Sequence, residues 1–366
     1  MKNNIAVLPG DGIGKEVINE AVKVLKAIGS VFDRKFTFQY GLIGVDAIEK
    51  TGDPFPVETE HLCKKAHAVL FGAIGDPKFD DNPNVKVRPD EGLFRMRANL
   101  GLYANLRPVK SYPPLYDRSP LKNNRIKNVD FIVIRELTGG IYFGQPRGRS
   151  EDGFEAFDTC KYSAGEIERI GRVAFGIAQK RNGRVTVVDK ANVLATSRLW
   201  RQVIKQMAGD YPDVNLEFMY VDHAAMNIIT NPAQFDVIVT ENMFGDILTD
   251  EASVISGSLG LIPSASIGEE SKLFEPIHGS YPEWAGKNRA NPIASILSAA
   301  MMLEMALNAP GEAELVREAV LASMEKGLIT GDIDPNSTCT TSQVGDFIAE
   351  YILAKSIDDV SPMTII

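Results

Sequence analysis

The stretch LPGDGIGKEV, residues 8–17, decides which kind of α/β protein this is. It follows an apolar run, Ile5 to Leu8, and opens a segment of helical period, so Gly10, Gly12 and Gly14 fall in a strand-to-helix turn. The dinucleotide fingerprint GxGxxG looks similar, but it needs a small residue one place further on and an acid closing a second strand. Position 15 is Lys15, and no acidic residue stands at the end of a second strand at that distance. The turn therefore predicts an α/β fold that is not of the Rossmann type.

Beyond the turn, short β-branched and apolar runs alternate with helix-period segments: Ile5 to Leu8, Ala68 to Phe71, Val129 to Ile134, Val185 to Val188, Leu216 to Val221 and Val237 to Thr240. That alternation indicates substantial parallel or mixed sheet. The proline-bearing regions Asp76 to Asp90 and Ser111 to Asn128 read as loops, and Ile293 to Leu303 reads as a buried helix. At 366 residues, with 44% hydrophobic and 24% charged, the chain can fill one large core or two ordinary ones.

Charge and cysteine content narrow the function classes. A formal net charge of -9 with no run of Lys and Arg on an amphipathic segment argues against nucleic acid as main partner, while small anions held by a few arginines remain allowed. Cys63, Cys160 and Cys339 are odd in number and far apart, which speaks against a disulfide framework and a structural zinc and for a reducing, cytoplasmic setting. No stretch has the length of a membrane span, and the first residues lack the pattern of a signal peptide.

Four of the strand-like runs end in charged or polar pairs: Arg135 and Glu136, Asp189 and Lys190, Asp222 and His223, Glu241 and Asn242. In open α/β sheets ligands bind at the carboxyl ends of strands, so these residues are candidates for one crevice. In NMFGDILTDEAS, Asp246 and Asp250 stand four apart and share a helical face, while Phe244, Leu248, Ala252, Ile255 and Leu259 form an apolar stripe on another. Two close carboxylates repel by roughly 3 kcal/mol at an effective dielectric of 20, and oxygen ligands of this kind suit magnesium or manganese. Acids near a helix start also complement the helix dipole without any metal.

Arg97, Arg107 and Arg135 flank the segment RANLGLYANLRP and the Val129 strand; three converging guanidinium forks would suit a substrate with two carboxylates. Tyr142, after the turn Thr138, Gly139, Gly140, and Lys190, at a strand end, are candidate proton carriers: burial lowers a lysine pKa, and a neighbouring cation lowers that of a tyrosine.

Together these segments resemble the β-decarboxylating dehydrogenase family, which includes the isocitrate and isopropylmalate enzymes. The resemblance runs through LPGDGIGKEV at 8–17, GLFRMRANLGLYANLRP at 92–108, RELTGGIYFG at 135–144, DKANVL at 189–194, NMFGDILTDEASVISGSLG at 242–260 and EPIHGSYPEWAGKNRANPIA at 275–294. It implies a two-domain fold with the active site in the cleft between domains. Residues 1–104 and 257–366 would form the first, cofactor-binding domain, and 105–256 the second, which carries dimerisation and the metal and substrate residues.

By the same resemblance, Arg97, Arg107 and Arg135 clamp the malate carboxylates, and Asp246 and Asp250 bind Mg2+ or Mn2+, joined by Asp222 from the other subunit of a homodimer. Lys190, also from the other subunit, is the general base on the C2 hydroxyl, and Tyr142 is the acid that protonates the decarboxylated product. His278, Gly279, Ser280, Glu283, Ala290 and Asn291 match the adenosine loop, Asn192 lies near the nicotinamide, and Asp90 takes the place of a usual glutamate at the cofactor. Glu283 would accept from the adenosine ribose and repel a 2′-phosphate, which favours NAD over NADP. Trp284 and Arg289 are unusual for the family.

The implied activity is oxidative decarboxylation of a malate-type dicarboxylate. Leu93, Phe94 and Val193 are apolar where isocitrate enzymes need polar groups for a third carboxylate, so an isopropyl substituent fits, and the expected reaction converts 3-isopropylmalate to 4-methyl-2-oxopentanoate in leucine biosynthesis. Tartrate, malate, homoisocitrate and isocitrate are the alternative substrates.

Overall fold

Strand β1 (Lys2–Gly10) runs into the glycine turn and out into the helix Gly14–Val31, whose residues Val17, Ile18, Ala21, Leu25 and Ile28 recur at helical spacing and are buried. Gly10 has φ +69° and Gly12 φ +54°; a Cβ on the first would lie 1.9 Å from the carbonyl oxygen of Ala73, and on the second 2.0 Å from that of Ser280. These glycines therefore let backbone meet backbone at a strand-to-helix turn.

In the computed structural model, which describes residues 2–79 and 87–355, the chain divides into two compact units. One is built from residues up to Leu102 and from Gly257 onward, the other from Tyr103–Ser256.

After β1 the first unit adds β2 (Lys35–Tyr40) and β3 (Ala68–Ala73). The second unit contributes β4 (Ala104–Lys110), β5 (Asp130–Glu136), a short hairpin of β6 (Gly148–Arg149) and β7 (Ala156–Phe157), then β8 (Arg184–Asp189), β9 (Asn215–Tyr220) and β10 (Val237–Thr240). The chain returns to the first unit with β11 (Pro263–Ile267) and β12 (Lys272–Pro276).

Within the first unit the strand order is β2-β1-β3-β12-β11, parallel as far as β12 and antiparallel between β12 and β11. All six residues of β3 are buried, as a parallel strand covered on both faces requires. The helix Ile293–Met305 packs against β3, β11 and β12, and Ile293 to Leu303 are all buried, as their composition predicts.

Within the second unit the order is β4-β5-β10-β8-β9, with β4 antiparallel to β5 and the rest parallel. The carboxyl ends of β5, β8, β9 and β10 therefore lie at one end of the sheet, and the four charged or polar pairs fall at or just after them, Asp222 and His223 in the helix that follows β9. One core of this unit gathers Val109, Phe131, Val133, Ile238, Leu248, Ala252 and Ile255. The helix Ala164–Ala178 packs against β5, β8 and β10, its start fixed by a capping box in which Ser163 accepts from the backbone of Glu166.

Several readings of the sequence need correction. The helix Asn242–Ser256 buries Leu248, Ala252 and Ile255 as foreseen, but Phe244 is only half-buried and Leu259 lies past the helix end in a short 3-10 turn. Val221 opens a helix, Val221–Thr230, rather than closing β9. The region Ser111 to Asn128 contains one helical turn, Asn123–Ile126, and a 3-10 segment, Pro113–Arg118, which opens on prolines because proline fits the first positions of a helix as well as a loop. For the same reason Pro89 and Asp90 open the helix Pro89–Asn99; residues 80–86 of that supposed loop lie outside the described residues.

Leu248 is fully enclosed in the core of its unit. Leu248→Ala should lower the stability of that unit by about 2 to 5 kcal/mol. Denaturant unfolding followed by a probe in this unit would show the shift, and an unchanged midpoint would contradict the packing.

Candidate active site

In the second unit the site grows from two neighbouring antiparallel strands. Arg107 on β4 and Arg135 on β5 are 6% and 4% exposed, although both are charged. Arg107 Nε donates to Asn105 Oδ1 at 2.6 Å, Nη1 to Thr249 Oγ1 at 2.6 Å and Nη2 to Asp246 Oδ1 at 3.4 Å. Arg135 Nε donates to Asn242 Oδ1 at 2.9 Å, and Nη1 makes a close ion pair with Asp246 Oδ1. The stem of Arg135 lies against Gly245, where a Cβ would come within 2.8 Å, so the glycine before Asp246 admits the arginine.

Tyr142 donates its hydroxyl to Asp246 Oδ2 at 3.2 Å. Its pKa is raised, first by burial and then by the negative charge of Asp246; the Arg135 guanidinium, 5.9 Å from the ring centre, pulls the other way and loses. The neighbouring cation does lower this tyrosine as expected, but burial and Asp246 outweigh it, and the phenol keeps its proton across the neutral range. Asp250, one turn beyond Asp246, has a raised pKa because of burial, only partly offset by Arg107, with Asp246 adding like-charge repulsion.

The expected metal acids and arginines are therefore partly satisfied by one another. Asp246 serves as counter-anion for two guanidiniums, so repulsion from Asp250 is not the whole of its electrostatics. Among the described residues no three His, Cys, Asp or Glu side chains gather as a metal site within this one chain. Asp222, in the first turn of the helix Val221–Thr230, instead ion-pairs with Lys190 at the end of β8, and that lysine holds the carboxyl of Asp222 below its usual range. The backbone N–H of Lys190 donates to Ser197 Oγ at 3.1 Å. Asn192 and Val193 follow in an exposed turn, with Val193 62% exposed.

The remaining expected residues belong to the first unit. Arg97 Nη2 pairs with the buried Glu275 of its own unit at 3.1 Å. On the same helix Leu93 packs against the core of its unit and Phe94 is 42% exposed. Ser280 donates its hydroxyl to the carbonyl of Gly75 at 2.7 Å and accepts the N–H of Ile13 at 2.7 Å, which ties this segment to the glycine turn. His278 contacts the carbonyl of Gly279 at 2.9 Å, its Nε2 is buried with no hydrogen-bond partner among the described residues, and burial depresses its pKa. Gly279 and Glu283 are exposed, Ala290 is buried, and Asn291 donates to Asp332 at 3.0 Å. Asp90 lies beside Gly75, and Arg289 is exposed. Trp284 packs on Ile13, Val17 and Ala290.

Asp11 and Glu275 escaped the sequence reading, and Glu136 and Asn242, flagged there only as strand-end residues, turn out to organise the site. Asp11 accepts from the backbone of Val45 at 2.8 Å and of Gly75 at 2.9 Å, and burial pushes its pKa to about 6. Glu136 accepts from the backbone of Thr138 at 2.9 Å and Gly139 at 2.8 Å and shapes the turn leading to Tyr142. Glu275 holds Arg97, and Asn242 holds Arg135. Their one sequence signal is a polar residue at a strand end or in a tight turn.

A comparison with known families matches residues 4–348 to "Isocitrate/isopropylmalate dehydrogenase". The 3-isopropylmalate dehydrogenase of Geobacillus kaustophilus is 58% identical over 91% of this chain and 90% of its own, and that of Carboxydothermus hydrogenoformans is 54% identical over 98% and 97%. Among solved structures, isocitrate dehydrogenase from Methylococcus capsulatus superposes with a TM-score of 0.85 at 34% identity, covering 96% of this chain and 99% of that one.

Asp246 competes with any incoming anion for Arg107 and Arg135 when no cation is present. In metal-free buffer Asp246→Asn should therefore bind malonate about three- to tenfold more tightly than the unaltered chain, by calorimetry. Weaker binding by the variant would show that the carboxylate does not occupy the guanidiniums.

Proposed function

The chain belongs to the isocitrate/isopropylmalate dehydrogenase family, and on that premise we propose that it oxidises and decarboxylates 3-isopropylmalate to 4-methyl-2-oxopentanoate with reduction of NAD, a step of leucine biosynthesis in the cytoplasm. The observation that carries this reading is the convergence of Arg107, Arg135 and Tyr142 on Asp246: two fixed cations for carboxylates beside a phenol that retains its proton. Exposed Phe94 and Val193 favour an apolar substituent over the third carboxylate of isocitrate, since covering an isopropyl group contributes about 2 kcal/mol whereas an unpaired buried carboxylate is strongly unfavourable.

Arg107 and Arg135, with Arg97, bind and orient the two carboxylates of the malate core. Lys190 accepts the proton of the C2 hydroxyl as hydride leaves C2. After carbon dioxide is lost, Tyr142 returns a proton to C3. Burial, the largest cause of its raised pKa, suits a donor that must stay protonated until then.

Asp246 and Asp250 would hold Mg2+ or Mn2+, with Asp222 from a second copy in a homodimer. Their oxygen-only donors fit such ions, and the raised carboxyl of Asp250 beside Asp246 is the kind of repulsion a cation relieves. The ion, when bound, supplies positive charge next to the C2 oxygen. The segment from His278 to Asn291, with Asp90 and Asn192, would hold NAD, which supplies the hydride acceptor. The buried unpartnered Nε2 of His278 is a polar atom that a ligand there can satisfy. Glu283 at the ribose favours NAD over NADP.

NADH production from a panel of 3-isopropylmalate, isocitrate, malate, tartrate and homoisocitrate, with magnesium or manganese, tests the proposal. The isopropyl substrate should lead in kcat/KM, and chelation with EDTA should stop turnover; a different leading substrate, or full activity in EDTA, would refute the corresponding part. A shared site makes a further demand. Lys190→Ala and Asp250→Asn homodimers should both be inactive, yet a refolded mixture should regain about a quarter of the wild-type sites, because half the dimers are mixed and each mixed dimer has one intact site. No gain over the parents would place each site within a single chain.

A further inference from the structure

We infer that Asn242 is a positioning residue that couples the carboxylate-binding Arg135 to the turn carrying the proton donor Tyr142, an inference that rests on the reading of the second unit as the substrate site. Asn242 begins the helix Asn242–Ser256 and is 1% exposed. A buried amide is tolerated when both ends of its head group are bonded. Here Oδ1 accepts from Arg135 Nε at 2.9 Å, and Nδ2 donates to the carbonyl of Gly139 at 3.3 Å. Gly139 directly precedes the 3-10 turn Gly140–Tyr142. One planar group thus spans from the guanidinium to the segment that delivers the phenol.

The backbone of Asn242 adds a third tie. Its N–H donates to Tyr162 Oη at 3.0 Å, and Tyr162 lies so close to the turn that a Cβ on Gly139 would come within 2.5 Å of its ring and one on Gly140 within 2.5 Å of its hydroxyl oxygen. Gly140 has φ +75°, which a residue with a Cβ adopts only under strain. The turn is therefore pressed between Tyr162 and the Asn242 amide, and its position follows that of Asn242. Neither an ionised carboxylate nor an aliphatic side chain can replace the amide, since the first lacks the donor toward Gly139 and the second lacks both groups.

This chemistry separates the two arms experimentally. Asn242→Asp keeps the acceptor for Arg135 and nearly the same shape, but sets an oxygen without a proton against the carbonyl of Gly139. Asn242→Ala removes both contacts. Calorimetric binding of 3-isopropylmalate in magnesium buffer reads the arginine arm. The tyrosine arm is read by magnetic resonance, as the enzyme-dependent exchange of the C3 hydrogens of 4-methyl-2-oxopentanoate with deuterated water, which needs no hydride transfer.

For Asn242→Asp we expect binding within about threefold of wild type and exchange slowed about a hundredfold, the scale of a misplaced catalytic group. For Asn242→Ala we expect the same slowing together with binding weakened about tenfold or more, as for a lost hydrogen bond to a charged group. Should the alanine variant fail to fold, the split within Asn242→Asp decides alone. Equal losses in both readouts for Asn242→Asp, or no loss of exchange, would overturn the coupling. Wild-type turnover of 3-isopropylmalate is measured alongside: its absence defeats the functional reading, whereas a competent wild type with unsplit variants defeats the role of Asn242.

Discussion

Arg107 and Arg135 carry full charges in positions almost closed to water, and ionised groups there persist only when anions and hydrogen-bond acceptors meet them. That requirement organises the second unit around them. The helix Asn242–Ser256 presents Asn242, Asp246 and Thr249 to the two guanidiniums, and Gly245 lies where the Arg135 stem passes. The opposite side of the same helix supplies Leu248, Ala252 and Ile255 to the core. One helix therefore binds the unit together by apolar contact and fixes its charges by polar contact, so packing and electrostatics cannot be altered independently.

Much of the architecture was legible from local pattern. Each of the six apolar runs marks a strand, although Val129 precedes β5 and Val221 opens the helix after β9; the glycine stretch is a strand-to-helix turn, and Ile293 to Leu303 is a buried helix. The strands β2, β4, β11 and β12 were not foreseen. The residues of β2 are exposed or half-buried; β4 and β12 mix charged residues and a proline into the run, and β11 is short with two serines. In each, cross-strand pairing outweighs a weak local preference.

At the site, residue types could be nominated from sequence but their partners could not. Asp246 and Asp250 share a helical face as their spacing requires, yet no spacing reveals that Asp246 would meet arginines from β4 and β5. Nor could it show Arg97 on Glu275, 178 positions away, or decide whether Tyr142 feels its neighbouring anion more than its neighbouring cation. Such facts depend on distances of a few ångströms between segments far apart in the chain, and the sign of a pKa shift depends on burial and on which charges lie near.

The discontinuous make-up of the first unit bears on how the chain is made. Strand β3 pairs with β12 and packs on the helix Ile293–Met305, so the first three strands emerge from the ribosome about two hundred residues before what completes their sheet. The second unit, continuous from Tyr103 to Ser256, has all its strands at hand earlier. Synthesis thus completes the second unit while β3, already packed on the helix Gly14–Val31, still lacks its strand neighbour β12 and its contact with the Ile293 helix, both supplied by the last part of the chain. Premature termination before β12 would leave β3 as an open strand edge, a ready template for pairing with another chain, which makes the late part of the message the stretch on which the solubility of the early part depends.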